Sequence, residues 1–373
     1  MTVGIDASRA FLKRRTGIEE YSYQVIRHLR SVIPEGDHVV LYVRRKFAIR
    51  NSRFVMLSQE IDFDLPPNWE VRAIWAPRFW TQVGLSIEML FRAPDVLFVP
   101  AHIVPVISPK RTIVTVHGLE YEMFPEAYSL WERLYMRFSI RFSVRAASRV
   151  IAVSENTKQD LMKLYRVPEE KISVIYEGKP SHDVRVTSHV RNTEYGIPNT
   201  KYFLFIGRLE ERKNISRIIE AFGILKETYK IPHALVLAGK PGFGYGRIKN
   251  EIRETRYGIR EMGYVSDEEK RSLLAMADVF LFPTIYEGFG LPVIEAQAAG
   301  IPVVTSNTSS LPEIAGDGAV FVDPLSAESI AAGIWSLVSD DGKRSAIIQK
   351  GLGNARRFSW QACAEEVAVL LRD

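Results

Sequence analysis

The sequence predicts an α/β protein of two doubly wound, Rossmann-like domains facing a central cleft. Three observations predict it. Short, nearly continuous apolar runs alternate with longer helical periods from one end to the other, the pattern of parallel strands covered by helices on both faces. The alternation breaks at His182 to Thr200, which sustains no apolar period and carries polar and β-breaking residues, and then restarts. A chain of 373 residues also exceeds one ordinary domain and suits two. The expected domains are 1–180 and 181–357, followed by a terminal helix at 358–373 that crosses back to the first.

In the first half the expected strands are 3–7, 39–43, 71–75, 96–100, 112–117, 150–154 and 172–176, each an apolar run bounded by turn residues. Helical periods fill 18–31, 82–91, 128–147 and 156–165. After the seam, strands follow at 202–207, 234–238, 259–265, 279–282, 302–305 and 319–322. The helices among them are 215–229, 246–257, 267–276 and 327–337, and Ser266-Asp267-Glu268-Glu269 is a capping box for the third. In open sheets of this kind, ligands bind at the carboxyl ends of the strands.

Composition narrows the class. With 46% hydrophobic and 25% charged residues the chain is globular, neither disordered nor fibrous. One cysteine, Cys363, excludes an internal disulfide, fits a reducing compartment, and in its helical pattern reads as a small buried hydrophobe. The N-terminus starts directly as a strand, with no signal-peptide pattern, and no stretch approaches the roughly 20 apolar residues of a membrane span. The expected location is the cytoplasm. A net charge of +5 points weakly to anionic ligands or surfaces.

The stretch FPTIYEGFGLPVIEAQAAG, Phe282 to Gly300, is the most informative. A strand ends at Phe282, a glycine-bearing loop follows, and a helix is expected with Pro292 in its first position, where the missing N–H costs nothing. Glu287 falls in the loop and Glu295 in the first helical turn. Between them the free N–H groups from Gly288 through Phe289 and Gly290 to Leu291 form an anion cradle, and Gly288 and Gly290 permit close approach of backbone. Phosphates in the middle and hydroxyls at both ends describe a nucleotide-diphospho-sugar. Taken alone, either glutamate reads more readily as a partner of the helix dipole; the strand–glycine loop–helix context turns the balance toward a ligand.

Glu-x7-Glu, here EGFGLPVIE, resembles the signature of retaining GT-B glycosyltransferases of family four (the mannosyltransferase-like group 1), and the likeness extends over essentially the whole chain. The resemblance implies the following roles. In GRLEERKN, Arg208 and Lys213 bind the donor diphosphate, with Arg212 left as a surface residue. His117, ending a strand in VTVHGLEY, lies beside the donor sugar; the usual aspartate after it is replaced by Gly118, so its role is either absent or filled elsewhere, with Glu120 the candidate. Gly17 of Arg14-Arg15-Thr16-Gly17 takes part of a phosphate-contacting Gly-Gly role. Tyr264 and Val265 lie near the base, Glu295 holds the ribose and Glu287 the sugar hydroxyls. Tyr176-Glu177-Gly178-Lys179-Pro180 departs from the Asn-Gly-Val type of turn found in many relatives.

The expected reaction is hexosyl transfer with retention, GDP-mannose being the favoured donor and UDP-glucose the next, to a glycan or lipid-linked saccharide. Neither metal nor resident cofactor is expected, and no nucleic-acid partner. A donor-binding subunit without catalysis and a nucleotide-sugar epimerase are the alternatives, distinguishable by turnover and by acceptor dependence. Arg133, Arg137, Arg141, Arg145 and Arg149 recur every fourth residue. A solvated face is the commoner reading of such a stripe, and peripheral contact with anionic lipid the sharper one.

Overall fold

The computed structural model describes residues 1–12, 15–50, 53–57, 61–76, 79–179 and 201–373, with backbone only at 46–50 and 53–57. Arg14, Pro180 and the seam 182–200 lie outside the described residues. The chain divides into two compact units. One comprises Met1–Glu122, Tyr128–Gly178 and Ser359–Asp373, the other Met123–Ala127 and Lys179–Phe358.

In the first unit the strands are β1 (Thr2–Asp6), β2 (His38–Arg44), β3 (Lys46–Arg50), β4 (Arg53–Leu57), β5 (Trp69–Ile74), β6 (Val96–Val99), β7 (Thr112–Val116), β8 (Arg149–Ala152) and β9 (Ile172–Val174). Seven form one sheet in the order β5-β2-β1-β6-β7-β8-β9, every pair parallel. The hairpin β3-β4, which periodicity does not predict, pairs antiparallel apart from it. The helices are α1 (Gly17–Leu29), α2 (Ser86–Arg92), α3 (Glu120–Met123), α4 (Leu130–Ala146) and α5 (Glu155–Tyr165). Met89, Ile140, Val144 and Leu161, from α2, α4 and α5, close one core with Val40, Leu97, Val114 and Val150 of the sheet.

The second unit carries β10 (Tyr202–Ile206), β11 (Ala234–Ala238), β12 (Ile259–Gly263), β13 (Val279–Phe282), β14 (Val303–Ser306) and β15 (Ala319–Val322). Their order is β12-β11-β10-β13-β14-β15, again all parallel. Strand order therefore reverses between β10 and β13, which makes the carboxyl ends of these two strands the switch point where such sheets bind ligands. Around them lie α6 (Ile215–Thr228), α7 (Tyr245–Glu254), α8 (Asp267–Met276), α9 (Leu291–Ala298), α10 (Leu311–Ala315), α11 (Ala327–Val338) and α12 (Asp341–Ala355). The capping box of α8 forms as its sequence predicts: Ser266 N–H donates to Glu269 Oε2 at 2.6 Å, and Glu269 N–H to Ser266 Oγ at 3.2 Å. Phe203, Phe205, Phe280 and Phe282 are fully buried at the sheet centre, each stabilising by roughly 1.5–3 kcal/mol.

The last helix, α13 (Trp360–Arg372), belongs to the first unit, where it packs on α1 and buries Trp360, Cys363, Ala364, Val367 and Leu371. Cys363 is buried and free, and burial pushes its thiol well above the ordinary range, an inert setting. Of the arginine stripe, α4 carries four members. Arg149 does not join them; it opens β8, because the helix ends at Ala146 ahead of the strand.

Candidate active site

Parallel strands place every loop after β10, β11, β12, β13 and β14 on one edge of the second unit's sheet. After β10 the chain turns through Gly207 and Arg208 into Glu210–Asn214 and then α6. Gly207 N–H donates to the Ala238 carbonyl at 2.9 Å, and a Cβ on Gly239, at φ 153°, would collide with the Gly207 carbonyl. The glycine there is a requirement of close backbone approach.

Glu287, in the loop after β13, is the hub of a buried charge cluster. Its carboxylate is paired with the Lys213 ammonium and lies 3.4 Å from Arg212 Nη1. Arg212 also donates to the Tyr286 carbonyl at 2.9 Å and, through Nη2, to Glu210 Oε1 at 2.8 Å. This corrects the expectation that Arg212 is a surface residue: its side chain is 17% exposed and bridges two carboxylates. A guanidinium presents its donors as a planar fork, so it can hold both at once. Burial pushes the Lys213 ammonium below the usual lysine range and the Arg212 charge adds to this, while Glu287 opposes it. Arg208, by contrast, is exposed and, among the described residues, bonded to none.

The backbone of the Glu287 loop is held by hydroxyls from the end of β14 and the segment after it. Thr305 Oγ1 donates to the Phe282 carbonyl at 3.0 Å, Ser306 Oγ to Thr284, and Thr308 Oγ1 to Ile285 at 3.2 Å. Ser309 Oγ accepts from Glu287 N–H and donates to Glu287 O, both at 2.9 Å. Ser310 Oγ lies 2.9 Å from Glu287 O and 2.8 Å from Phe289 O. None of these hydroxyl residues is among the site residues expected from sequence. The signal available was a run of small polar residues, SNTSS, directly after an apolar strand.

At the start of α9 the structure shifts the expected register. Gly290, at φ 110°, caps the helix and Leu291 is its first residue, so Pro292 is second and Glu295 fifth. Glu295 therefore stands one turn inside the helix rather than in its first turn, and it is paired with Lys270 of α8 at 2.8 Å. Pro292 has no N–H to offer, and that of Val293 goes to the Gly290 carbonyl at 2.9 Å. Among the described residues, Gly290 and Leu291 keep N–H groups without a protein acceptor, as the first turn of a helix does. A Cβ on Gly290 would come within 2.8 Å of the Leu311 side chain. Phe289 packs edge-on to Phe358 at 5.8 Å. Beyond β12, Tyr264 is exposed with Lys240 Nζ 4.6 Å from its ring centre, and Val265 leans on the core.

In the first unit His117 follows β7 and is buried. Its Nε2 lies 2.9 Å from the Pro100 carbonyl and its Nδ1 3.2 Å from Glu177 Oε1. The carboxylate that faces His117 thus comes from Glu177, not from Glu120, which opens α3. Sixty residues separate the pair in sequence, so no local motif announces it. Gly17 is the first residue of α1 and meets open space where a Cβ would be; Thr16 N–H donates to Glu19 Oε2 at 3.1 Å. Among the described residues no group of three or more His, Cys, Asp or Glu side chains is arranged to hold a metal ion.

Residues 15–179 match the protein family described as Glycosyltransferase Family 4, and residues 192–353 that described as Glycosyl transferases group 1. O-antigen chain mannosyltransferase B of Escherichia coli is 32% identical over 267 residues, which are 69% of each chain. O-antigen chain mannosyltransferase RfbU of Salmonella typhimurium is 24% identical over 333 residues, 87% of this chain and 88% of that one. Among solved structures, WaaG, a glycosyltransferase involved in lipopolysaccharide biosynthesis, superposes with a TM-score of 0.72 at 16% identity, covering 100% of this chain and 99% of that one. Anabaena HepE in complex with UDP and glucose gives 0.70 at 17% identity, covering 100% and 99%. At these identities the two structures bear on the fold, which is GT-B.

Proposed function

The chain belongs to glycosyltransferase family 4, and from that premise we propose that it moves a mannosyl unit from GDP-mannose to a hydroxyl of a glycan or lipid-linked saccharide, with retention and without a metal. UDP-glucose is the next donor in order. The observation that carries the reading is the edge of the second unit's sheet at the β10/β13 switch point: the Glu287–Lys213–Arg212 cluster, the exposed Arg208, and two N–H groups open at the start of α9. The barrier to transfer is departure of a nucleoside diphosphate, so charge on the leaving phosphate must be stabilised. Lys213, Arg208 and the Gly290 and Leu291 N–H groups are of the right kind for that task. Lys213, loosely held as a cation by burial, gains a stronger reason to be charged when phosphate arrives.

In this reading Glu287, oriented by Arg212 and by the hydroxyls of Ser309 and Ser310, holds the donor sugar. Glu295 accepts from the ribose in competition with Lys270, the exposed Tyr264 lies toward the base, and His117 faces the sugar. Gly17 retains only a weak share in phosphate contact. The leaving phosphate takes the acceptor proton as the bond to the acceptor oxygen forms on the face it vacates. Mannose is favoured because the two relatives compared above are mannosyltransferases by name.

Calorimetric titration of GDP-mannose and UDP-glucose into the wild type and Glu295→Ala, with no divalent metal, tests this. Saturable binding of GDP-mannose, weakened at least about tenfold in the variant, a loss of about 1.4 kcal/mol, is the expected result. Binding of neither donor, nor of a wider nucleotide-sugar panel, would overturn it.

The acceptor side suggests a membrane surface. On α4, Trp131 is 80% and Phe138 74% exposed, with Leu134 and Tyr135 also exposed and Arg141 and Arg145 beside them. Arg137 is instead tied to Glu122, its Nε donating at 2.8 Å. Aromatic and aliphatic side chains flanked by arginines match the interface of an anionic bilayer, and no helix among the described residues is long and apolar enough to cross one. Co-sedimentation with phosphatidylglycerol vesicles at low salt, reduced in Trp131→Ser/Phe138→Ser, is expected. Equal recovery with neutral and anionic vesicles would exclude the contact.

A further inference from the structure

His117 is gripped at both ring nitrogens. Nε2 faces the Pro100 carbonyl at 2.9 Å, and a carbonyl oxygen can only accept, so Nε2 carries a hydrogen. Nδ1 faces Glu177 Oε1 at 3.2 Å. A neutral imidazole with its hydrogen on Nε2 would turn the Nδ1 lone pair toward a carboxylate oxygen, two acceptors against each other. One further proton between Nδ1 and Oε1 resolves the contact, and both groups are buried from water, with side-chain exposures of 8% and 4%.

The ring is fenced as well as gripped. Tyr21 of α1 stands edge-on at 4.6 Å, and the His102 ring lies perpendicular at 5.4 Å, its Nδ1 accepting from His117 N–H at 3.4 Å. Among the described residues the other titratable groups facing this cluster are Tyr21, His102 and Cys363, with Arg9 and Glu366 acting from farther off. Burial drives the His102 imidazole well below its ordinary range and the Tyr21 and Cys363 groups upward, so all three stay neutral.

Glu177 itself is held in place. A Cβ on the next residue, Gly178, would run into the backbone and indole of Trp360, so the chain can pass α13 only as glycine. Tyr21, whose hydroxyl lies 3.2 Å from Thr115 Oγ1, stacks edge-on to Trp360 at 6.0 Å from the other side. The loop that ends the first unit and the helix that returns to it are locked together at the one residue following Glu177.

We infer that Glu177 is the positioning residue of His117: it fixes the ring and holds the proton on Nδ1, so that the imidazole presents a positive edge where β7 ends. The inference rests on the reading that His117 faces the donor sugar during transfer. Gly118 removes any carboxylate adjacent in sequence, and Glu177 supplies one from the far end of the unit. His117 has no ring nitrogen left over for proton exchange with a ligand, which makes its part in transfer electrostatic rather than that of an acid or base.

The test compares Glu177→Gln, an isosteric amide, with Glu177→Asp and the wild type, all in the full-length chain. Kinetics with GDP-mannose are expected to show kcat lowered about 10- to 100-fold in Glu177→Gln with the donor KM changed less than about threefold, the split that separates a transition-state effect from binding. Glu177→Asp should recover part of the loss, and thermal unfolding should show both variants folded. Nitrogen-15 spectra of the histidine rings at neutral pH, assigned with His117→Gln, should show both His117 nitrogens protonated in the wild type and Nδ1 bare in Glu177→Gln. Unchanged kcat in a folded Glu177→Gln, or a wild-type spectrum with Nδ1 bare, would overturn the proposal. A wild type that turns over no nucleotide-sugar would instead overturn the functional reading, and the ring spectra, which need no substrate, still decide the pairing.

Discussion

Arg212 shows how little a residue's type says about its task. In GRLEERKN it is one of five charges within six residues, and a solvated loop is the ordinary outcome of such a run. In the structure it is the bridge between Glu210 and Glu287, while Arg208, four positions earlier, is the exposed one. The difference is burial: one side chain is held against the Glu287 loop and the other is open to solvent. Arg212→Ala should cost about 3 kcal/mol in urea denaturation, because it strips two largely buried carboxylates of their shared partner. Arg212→Lys should recover less than half of that, since an ammonium cannot fork to both. A loss under about 1 kcal/mol for the alanine variant would mean that water screens the cluster as it does a surface pair.

At the scale of elements, the loop carrying Glu287 has little regular structure and is shaped from outside. Hydroxyls from β14 and the segment after it take the carbonyls of Phe282, Thr284, Ile285, Glu287 and Phe289 in turn, where a strand would have offered a backbone ladder. Buried polar groups left without partners cost about 1–3 kcal/mol each. Ser309→Ala/Ser310→Ala should therefore weaken donor binding about tenfold by calorimetry while the far sheet edge keeps its hydrogen-exchange protection. Unaltered affinity would show that the loop holds its form without these hydroxyls. The helix that follows illustrates a register that sequence leaves open by one residue. Proline is welcome in any position of the first turn, so PVIE alone does not say where counting begins; the positive φ of Gly290 does.

For the whole molecule, the notable fact is that the first unit is discontinuous: its final helix comes after the second unit has been completed. Helix α13 buries six side chains in the first unit, among them Trp360 and Leu371, and Arg111 Nη2 donates to the Leu371 carbonyl at 2.9 Å. Ending the chain at Phe358 should lower hydrogen-exchange protection in α1 and β1 by at least about tenfold, since local stability follows local burial. Strands β10 and β13 should be unaffected. Loss of protection in both units alike would show that they unfold as one cooperative body.

The sequence by itself determined the two α/β arrays, because short apolar runs alternating with longer helical periods are the pattern of parallel strands covered on both faces. It also determined that Glu287, Lys213 and Arg208 lie in the loops after apolar strands, and the glycines among them mark where backbone comes close. What it could not contain is any pairing between distant residues. Glu177 with His117, Lys270 with Glu295, and the serines with the Glu287 loop each join segments 21 to 60 residues apart. Such pairs satisfy charges and hydrogen bonds that folding has removed from water. Only the tertiary structure decides which buried group must be answered, and by which neighbour.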